Sequence, residues 1–264
     1  MRRLLEGKVA LVTGARTGLG AATVVSLAKL GATVIASGRH AGDCSGVVDA
    51  VTVTGGLASD FMLDVADLGA IPHRVAEALK LHGQIDILVN NAATIAPMTR
   101  LVELDARAFD AALTLNVSGP AALTAALWPR FGGGRIVNIV SGAATRAMSG
   151  WAAYCASKAA LLMLTRSIAL EGEATGILGF ALAPGLVDTG MQAAIRDARI
   201  NAVSDIPRQN LDPPERAAQM IAWLATGLAD DLAGDYVDVR QPGLQERVAA
   251  DLSAVADLSN NARD

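Results

Sequence analysis

Apolar runs of strand length alternate along this chain with longer stretches in which apolar positions recur at helical spacing. The strand-like runs are Val9 to Thr13, Thr33 to Ala36, Phe61 to Leu63, Ile85 to Val89, Arg135 to Val140, Gly179 to Ala183 and Tyr236 to Val239. Runs of this kind separated by helices predict a doubly wound α/β fold, a parallel sheet of about seven strands with helices on both faces. Asp105 caps a helical stretch reaching roughly to Trp128, where Pro129 stops it. Ala152 to Leu170 forms another, rich in alanine and leucine, and Pro213 and Pro214 open a third near Glu215 to Leu224. The segment Val47 to Thr54 reads two ways: its Val and Thr content favours strand, while its place between two strands demands a helix.

Composition narrows the classes. With 264 residues, 52% of them hydrophobic, and no Pro/Ser-rich linker, the chain reads as one domain over 1–264 with a short tail from about Gly243. Val248, Leu252, Val255 and Leu258 give that tail the spacing of an amphipathic helix. A formal charge of -4 without a basic patch argues against nucleic acid as a partner. Glu6 and Lys8 interrupt the start Met1-Arg2-Arg3-Leu4-Leu5 before a signal peptide can form, and no run approaches membrane-spanning length. Two cysteines, Cys44 and Cys155, are too few for a disulfide framework and fit a cytoplasmic protein. His40, His73 and His82 form no metal-ligand pattern with them, so no metal is expected. Neither a Gly-x-Ser-x-Gly elbow nor a Gly-Lys-Ser/Thr phosphate loop is present.

Chemistry enters at the first strand-to-helix turn, Thr13-Gly14-Ala15-Arg16-Thr17-Gly18-Leu19-Gly20. Glycines there permit close backbone approach, and the free N–H groups of a helix starting near Gly18 suit a diphosphate. Further on, Tyr154 and Lys158 stand four apart in a helical stretch, so phenol and ammonium share one face. A nearby cation favours the phenolate, and the spacing therefore predicts a lowered Tyr154 pKa, suited to acid/base work. Ser141 lies just beyond a strand, at the edge where open α/β sheets place their ligands, and its hydroxyl can hold a carbonyl oxygen.

Taken in order, Thr-Gly-x-x-x-Gly-x-Gly at 13–20, Asp64-Val65, Asn90-Asn91-Ala92-Ala93, Asn116, Ser141, Tyr154-x-x-x-Lys158 and Pro184-Gly185-x-x-x-Thr189 resemble the short-chain dehydrogenase/reductase family. The resemblance covers about residues 6 to 240 and implies a Rossmann-type fold and a nicotinamide-dependent oxidoreductase. Ala93 and Val140 depart from it, where the family usually has glycine and often serine. It implies a catalytic set of Asn116, Ser141, Tyr154 and Lys158. Tyr154 would give a proton to the carbonyl oxygen as hydride arrives, Lys158 would also bind the nicotinamide ribose, and Asn116 would support a water-linked relay. The cofactor would lie against Gly14, Arg16, Thr17, Gly18, Leu19 and Gly20, with Asp64 and Val65 at the adenine. Asn90 and Ala92 would flank it further along, and Pro184, Gly185, Val187 and Thr189 would wrap the nicotinamide carboxamide.

Between the two nicotinamide cofactors, the end of the second strand decides. The acidic position that selects NAD falls on Gly38 by the family's alignment, while neighbouring Arg39 can clamp a 2'-phosphate, with Arg16 as a second cation. NADP(H) is therefore expected over NAD(H).

On the substrate side, Trp151 is a candidate apolar wall, Met191 is a candidate substrate contact, and the stretch from Gly190 through Met191 to Leu211 has the mixed character of a lid. The segments around Tyr154 and Pro184 look most like those of the sepiapterin reductase and benzil reductase group. Gly190 replaces one of the acidic residues sepiapterin reductases carry there, which disfavours a pterin. The expected activity is reduction of an apolar ketone or diketone. Two alternatives stand: alcohol oxidation by the same residues, and a dinucleotide-sensing protein without turnover. The resemblance also implies a homodimer or homotetramer, formed through the helices at about 105–128 and 152–171.

Overall fold

The structure, a computed structural model, describes residues 3–261, with side chains described to 254. Seven strands form one parallel sheet in the order β3-β2-β1-β4-β5-β6-β7. They are β1 (Val9–Thr13), β2 (Thr33–Gly38), β3 (Leu57–Met62), β4 (Ile87–Asn90), β5 (Arg135–Ile139), β6 (Leu178–Ala183) and β7 (Tyr236–Asp238). Every residue of β1 is buried, as expected of a central strand covered on both faces.

Strand order reverses between β1, which pairs with β2 on one side, and β4 on the other. The crossover chains leave these two strands in opposite directions, which opens a crevice beyond their carboxyl ends. Thr13 and Asn90 end the two strands at that crevice.

Helices α1 (Gly18–Lys29), α2 (Ser45–Val53), α8 (Pro214–Leu224) and α9 (Leu244–Asn261) join one core cluster, with Leu27, Val51 and Trp223 at 0–1% exposure. On the opposite side α3 (Ile71–His82), α5 (Gly119–Leu127) and α6 (Ala152–Gly172) form another around Ile71, Leu123, Leu127 and Ile168. Each cluster includes residues of the central strands, so the sheet is packed on both faces.

Several expectations are refined. The segment at 47–54 is helical: Val47 and Val51, four apart, are buried on one face of α2, and Val53 points out. Parallel strands β2 and β3 require such a crossover, which overrides the local β-propensity. Strand β3 begins at Leu57 rather than near Phe61. It is an edge strand, so its first half carries Ser59 and Asp60 without the apolar run that marks an interior strand. Asp60 uses its carboxylate to accept from the N–H groups of Gly42 (2.7 Å) and Cys44 (2.8 Å).

Asp105 does cap its helix, accepting from the Ala108 N–H at 2.9 Å. The stretch from 106 onward is α4 (Ala106–Leu113) and α5 joined by one π turn, Thr114–Ser118. The 25-residue stretch Ala106–Arg130 contains an 18-residue window of mean hydropathy 1.2 and so passes by length and composition alone for a membrane-spanning helix, where the sequence reading expects no such run. The interruption by polar Thr114, Asn116 and Ser118 concealed it, while burial of Leu123 and Leu127 against the sheet side is the packing of a core helix.

The tail finds its partner in α8. Val248 is buried, Leu252 packs on the same cluster, and the Trp223 indole N–H donates to Asp251 at 2.9 Å. The side chains of Val255 and Leu258 lie outside the described residues.

Candidate active site

A cavity of about 580 Å³ opens at the crevice between β1 and β4. Its first wall is the glycine turn. The N-cap residue Thr17 makes no side-chain cap hydrogen bond, so the first N–H groups of α1 are left for another acceptor. Gly20 is there because of close packing: a Cβ would lie 2.3 Å from the Gly14 carbonyl oxygen and 2.6 Å from Asn91 Nδ2. Asn91 fastens the turn, donating from Nδ2 to the carbonyls of Thr13 (2.8 Å) and Gly14 (3.0 Å). An uncapped helix N-terminus beside a cradle that side chains would fill fits a dinucleotide diphosphate.

Gly14, Arg16, Thr17, Gly18, Leu19, Gly20, Arg39, Asp64, Val65 and Ala92 all line this cavity, as do Pro184, Gly185, Val187 and Thr189 on its other side. Asp64 also accepts from the Ala66 N–H at 2.9 Å, which fixes its turn. Asn90 does not line the cavity. Its amide donates to Asn138 Oδ1 at 2.8 Å, and Asn138 donates to Thr165 at 2.9 Å, a chain tying β4 and β5 to α6. The lining residue of that pair is Asn91.

Among the cavity residues outside the sequence reading, Asp43 bears on the choice of cofactor. After β2 the chain folds back, and Asp43 covers Gly38 so closely that a Cβ there would sit 2.5 Å from the Asp43 Cβ. The position that lacks an acid in sequence therefore has one in space. Asp43 accepts from the His40 N–H at 3.0 Å, and this bond, with Arg16 adding to it, holds its pKa below the usual value. Arg39, Arg16 and Asp43 thus share the end of the cavity beside β2.

At the other end stand Ser141, Tyr154 and Lys158. Ser141 follows β5 and caps a short 3-10 turn, its Oγ accepting from the Ala143 N–H at 3.2 Å. Tyr154 and Lys158 project from the first turns of α6, and both are buried. Lys158 Nζ lies 5.6 Å from the Tyr154 ring centroid and donates to the Ile139 carbonyl oxygen at 2.7 Å.

The helical spacing delivers this proximity, but not the lowered phenol pKa expected from it. Burial pushes Tyr154 up to about 12, with the Ser141 hydroxyl pulling in the other direction, and pushes Lys158 down to about 7. Desolvation of the charged form is the largest cause of both shifts. A polar ligand beside the pair is what would shift that balance.

Asn116 sits in the π turn and does not line the cavity. Its Oδ1 accepts from the Thr94 N–H (2.9 Å), and its Nδ2 donates to the Thr94 carbonyl (2.8 Å) and to Ser157 Oγ (2.9 Å). Ser157 in turn donates to the Tyr154 carbonyl at 2.8 Å. Asn116 therefore clamps the loop after β4 to the turn that carries Tyr154. π turns of this kind are often found at functional sites.

The wall around Tyr154 is apolar. Trp151 packs edge-on at 5.9 Å between centroids, and Ile95, Met148, Met191, Ile195 and Val203 complete it. Met191 and Ile195 belong to α7 (Gly190–Ala198), inside the stretch expected to form a lid. That stretch is fastened at both ends by the pairing of Val187 with Asp212 and the Arg208–Asp188 ion pair at 2.7 Å. In its middle, Asn201 donates to the Ser149 carbonyl at 2.8 Å.

Known proteins agree with this geometry. Residues 8–200 match the short chain dehydrogenase family. The chain is 33% identical over 239 residues to the 3-oxoacyl-[acyl-carrier-protein] reductase FabG of Thermotoga maritima, covering 89% of this chain and 97% of that protein. It is 34% identical over 241 residues to dehydrogenase/reductase SDR family member 4 of Oryctolagus cuniculus, covering 89% and 93%. Among solved structures, a protein from Beutenbergia cavernae described as an NAD(P)-dependent gluconate 5-dehydrogenase, with bound NADP, superposes with TM-score 0.82 at 34% identity over 90% of this chain and 97% of that one. Two of these names carry substrates, which differ, and none of the three singles out the sepiapterin and benzil reductase group. The chain belongs to the short-chain dehydrogenase/reductase family and is an oxidoreductase acting on alcohol or ketone groups.

Proposed function

We propose that this protein is an NADPH-dependent carbonyl reductase acting on an apolar ketone or diketone. The observation that carries the reading is one cavity with a diphosphate cradle and two arginines at one end and Tyr154, Ser141 and Lys158 in an apolar wall at the other. When bound, the dinucleotide supplies the hydride. Ser141 holds the carbonyl oxygen, and the Tyr154 hydroxyl, protonated throughout the neutral range, gives that oxygen its proton. Lys158, held by the Ile139 carbonyl at 5.6 Å from the Tyr154 ring centroid, in its ammonium form stabilises the phenolate left when the phenol gives up its proton. Asn116 positions Tyr154 through Ser157 and supports the route by which the proton is replaced.

Arg39 and Arg16 favour NADP(H) over NAD(H), as a 2'-phosphate needs cations, and Asp43 limits that preference. The diketone class rests on the apolar wall and on the resemblance of the segments Gly150 to Ala160 and Pro184 to Gln192 to the sepiapterin reductase and benzil reductase group. Alcohol oxidation uses the same residues in reverse and remains the second reading, because proton transfer through Tyr154 is reversible.

The chain reads as one domain. Free Cys44 and Cys155 suit a reducing, cytoplasmic setting. A homodimer or homotetramer is favoured by the outer faces of α5 and α6, where Ala121, Ala125, Leu164 and Ser167 line a shallow groove and Met163 is exposed. The test is to follow NADPH and NADH oxidation with aromatic diketones, aldehydes, quinones and simple ketones, and NADP+ reduction with the matching alcohols. Faster reduction of diketones with NADPH supports the reading; turnover confined to NADP+ and alcohols replaces it with the second.

A further inference from the structure

A polar side chain that the mechanism does not use stands at the apolar end of the cavity. Gln192 lies on the first turn of α7 between Met191 and Ile195, is 8% exposed, and lines the cavity. Among the described residues its carboxamide has no hydrogen-bond partner, whereas its backbone N–H donates to the Thr189 carbonyl at 3.0 Å. Gln192 and Ile195 are three apart and share a helix face, and Ile195 belongs to the cluster around Trp151 and Tyr154.

The residue is largely buried, yet neither amide atom is among the fully enclosed ones, so the carboxamide keeps some access without a protein partner, at a cost relative to full hydration. A leucine or methionine at this position would complete the apolar wall without that cost. The amide offers two donors and an acceptor to whatever enters beside Tyr154.

We propose that Gln192 is a specificity residue that hydrogen-bonds a second oxygen-bearing group of the substrate, so that diketones and hydroxyketones are selected over simple ketones of the same shape. The proposal rests on the reductase reading and deepens it. The reacting carbonyl belongs to Ser141 and Tyr154, and Gln192 reads the other oxygen. A ketone lacking that oxygen leaves the amide unpaired in the complex as well, which is how a polar group in an apolar pocket discriminates.

The experiment compares kcat/KM for 1-phenylpropane-1,2-dione and 1-phenylpropan-1-one at saturating NADPH, for the full-length enzyme and for Gln192→Met and Gln192→Leu. The dione-to-ketone ratio is expected to fall by about 10-fold or more in both variants. Their melting temperatures are expected to hold or rise, since an unpaired amide has been replaced by an apolar group. A ratio equal to wild type in a folded variant overturns the proposal, as does a raised KM for NADPH with the ratio unmoved, which would put the amide on the cofactor. A lowered melting temperature in both variants also counts against it, by showing that the amide is paired within the protein. Absence of turnover on either compound by the wild type overturns the reductase reading and this proposal with it; turnover with an unmoved ratio overturns the proposal alone.

Discussion

Lys158 and Tyr154 are held within 5.6 Å of one another, yet the ammonium is spent on the Ile139 carbonyl oxygen and both groups are driven toward their neutral forms. Stability should report this. Lys158 is lowered from 10.5 to about 7, so between those values the unfolded chain binds a proton that the folded one does not, and its contribution rises with pH. Tyr154 is raised from 10.0 to about 12, so above pH 10 the folded chain keeps a proton the unfolded one loses, and stability falls. Denaturant midpoints from pH 6 to 11 should climb and then turn down, and Lys158→Met should flatten the climb.

Asn116 makes three hydrogen bonds from a fully buried position and does not itself line the cavity, which it reaches through the lining residue Thr94. Asn116→Ala leaves the Thr94 backbone groups unpaired and is expected to cost roughly 2–3 kcal/mol of stability. Activity should fall through kcat more than through KM, since Tyr154 is displaced while most of the cavity wall does not depend on Asn116. Urea melts and steady-state kinetics on one preparation check both.

Gly20 has no room for a methyl group, because a Cβ meets the Gly14 carbonyl oxygen at 2.3 Å. Gly20→Ala should push the glycine turn away from α1 and weaken dinucleotide binding by more than 10-fold, at a stability cost of about 1–3 kcal/mol. Titration of NADPH fluorescence against the purified variant measures the first, and thermal melting the second.

Asp43 faces the same end of the cavity as Arg16 and Arg39, with its carboxylate kept charged by the His40 N–H and Arg16. Asp43→Asn removes the negative charge beside the expected 2'-phosphate. The NADPH-to-NADH ratio of kcat/KM should rise several-fold, and Arg39→Ser should lower it. Parallel kinetics with both cofactors decide the matter.

The glycine turn, Ser141 and the Tyr154–Lys158 pair were legible because each depends on local spacing: a strand end, a helix start, one turn of α6. Most of the cavity follows from those anchors. Asp43 was hidden because its place depends on the loop from Arg39 to Cys44 folding back over Gly38, which no periodicity records. The pKa of Tyr154 was misjudged for a related reason: helical spacing gives the distance to Lys158, whereas burial depends on what the rest of the chain stacks over both groups. Strand β3 starts before its apolar run because an edge strand is not obliged to be apolar, and sequence alone does not show that Asn91, and not the expected Asn90, lines the cavity.

The most direct measurement is NADPH oxidation with an aromatic diketone by the wild type and by Tyr154→Phe, with NADPH affinity determined for both. The account predicts a turnover loss of about 10²–10⁴-fold with affinity kept within a few-fold. Equal turnover in the two proteins would contradict it.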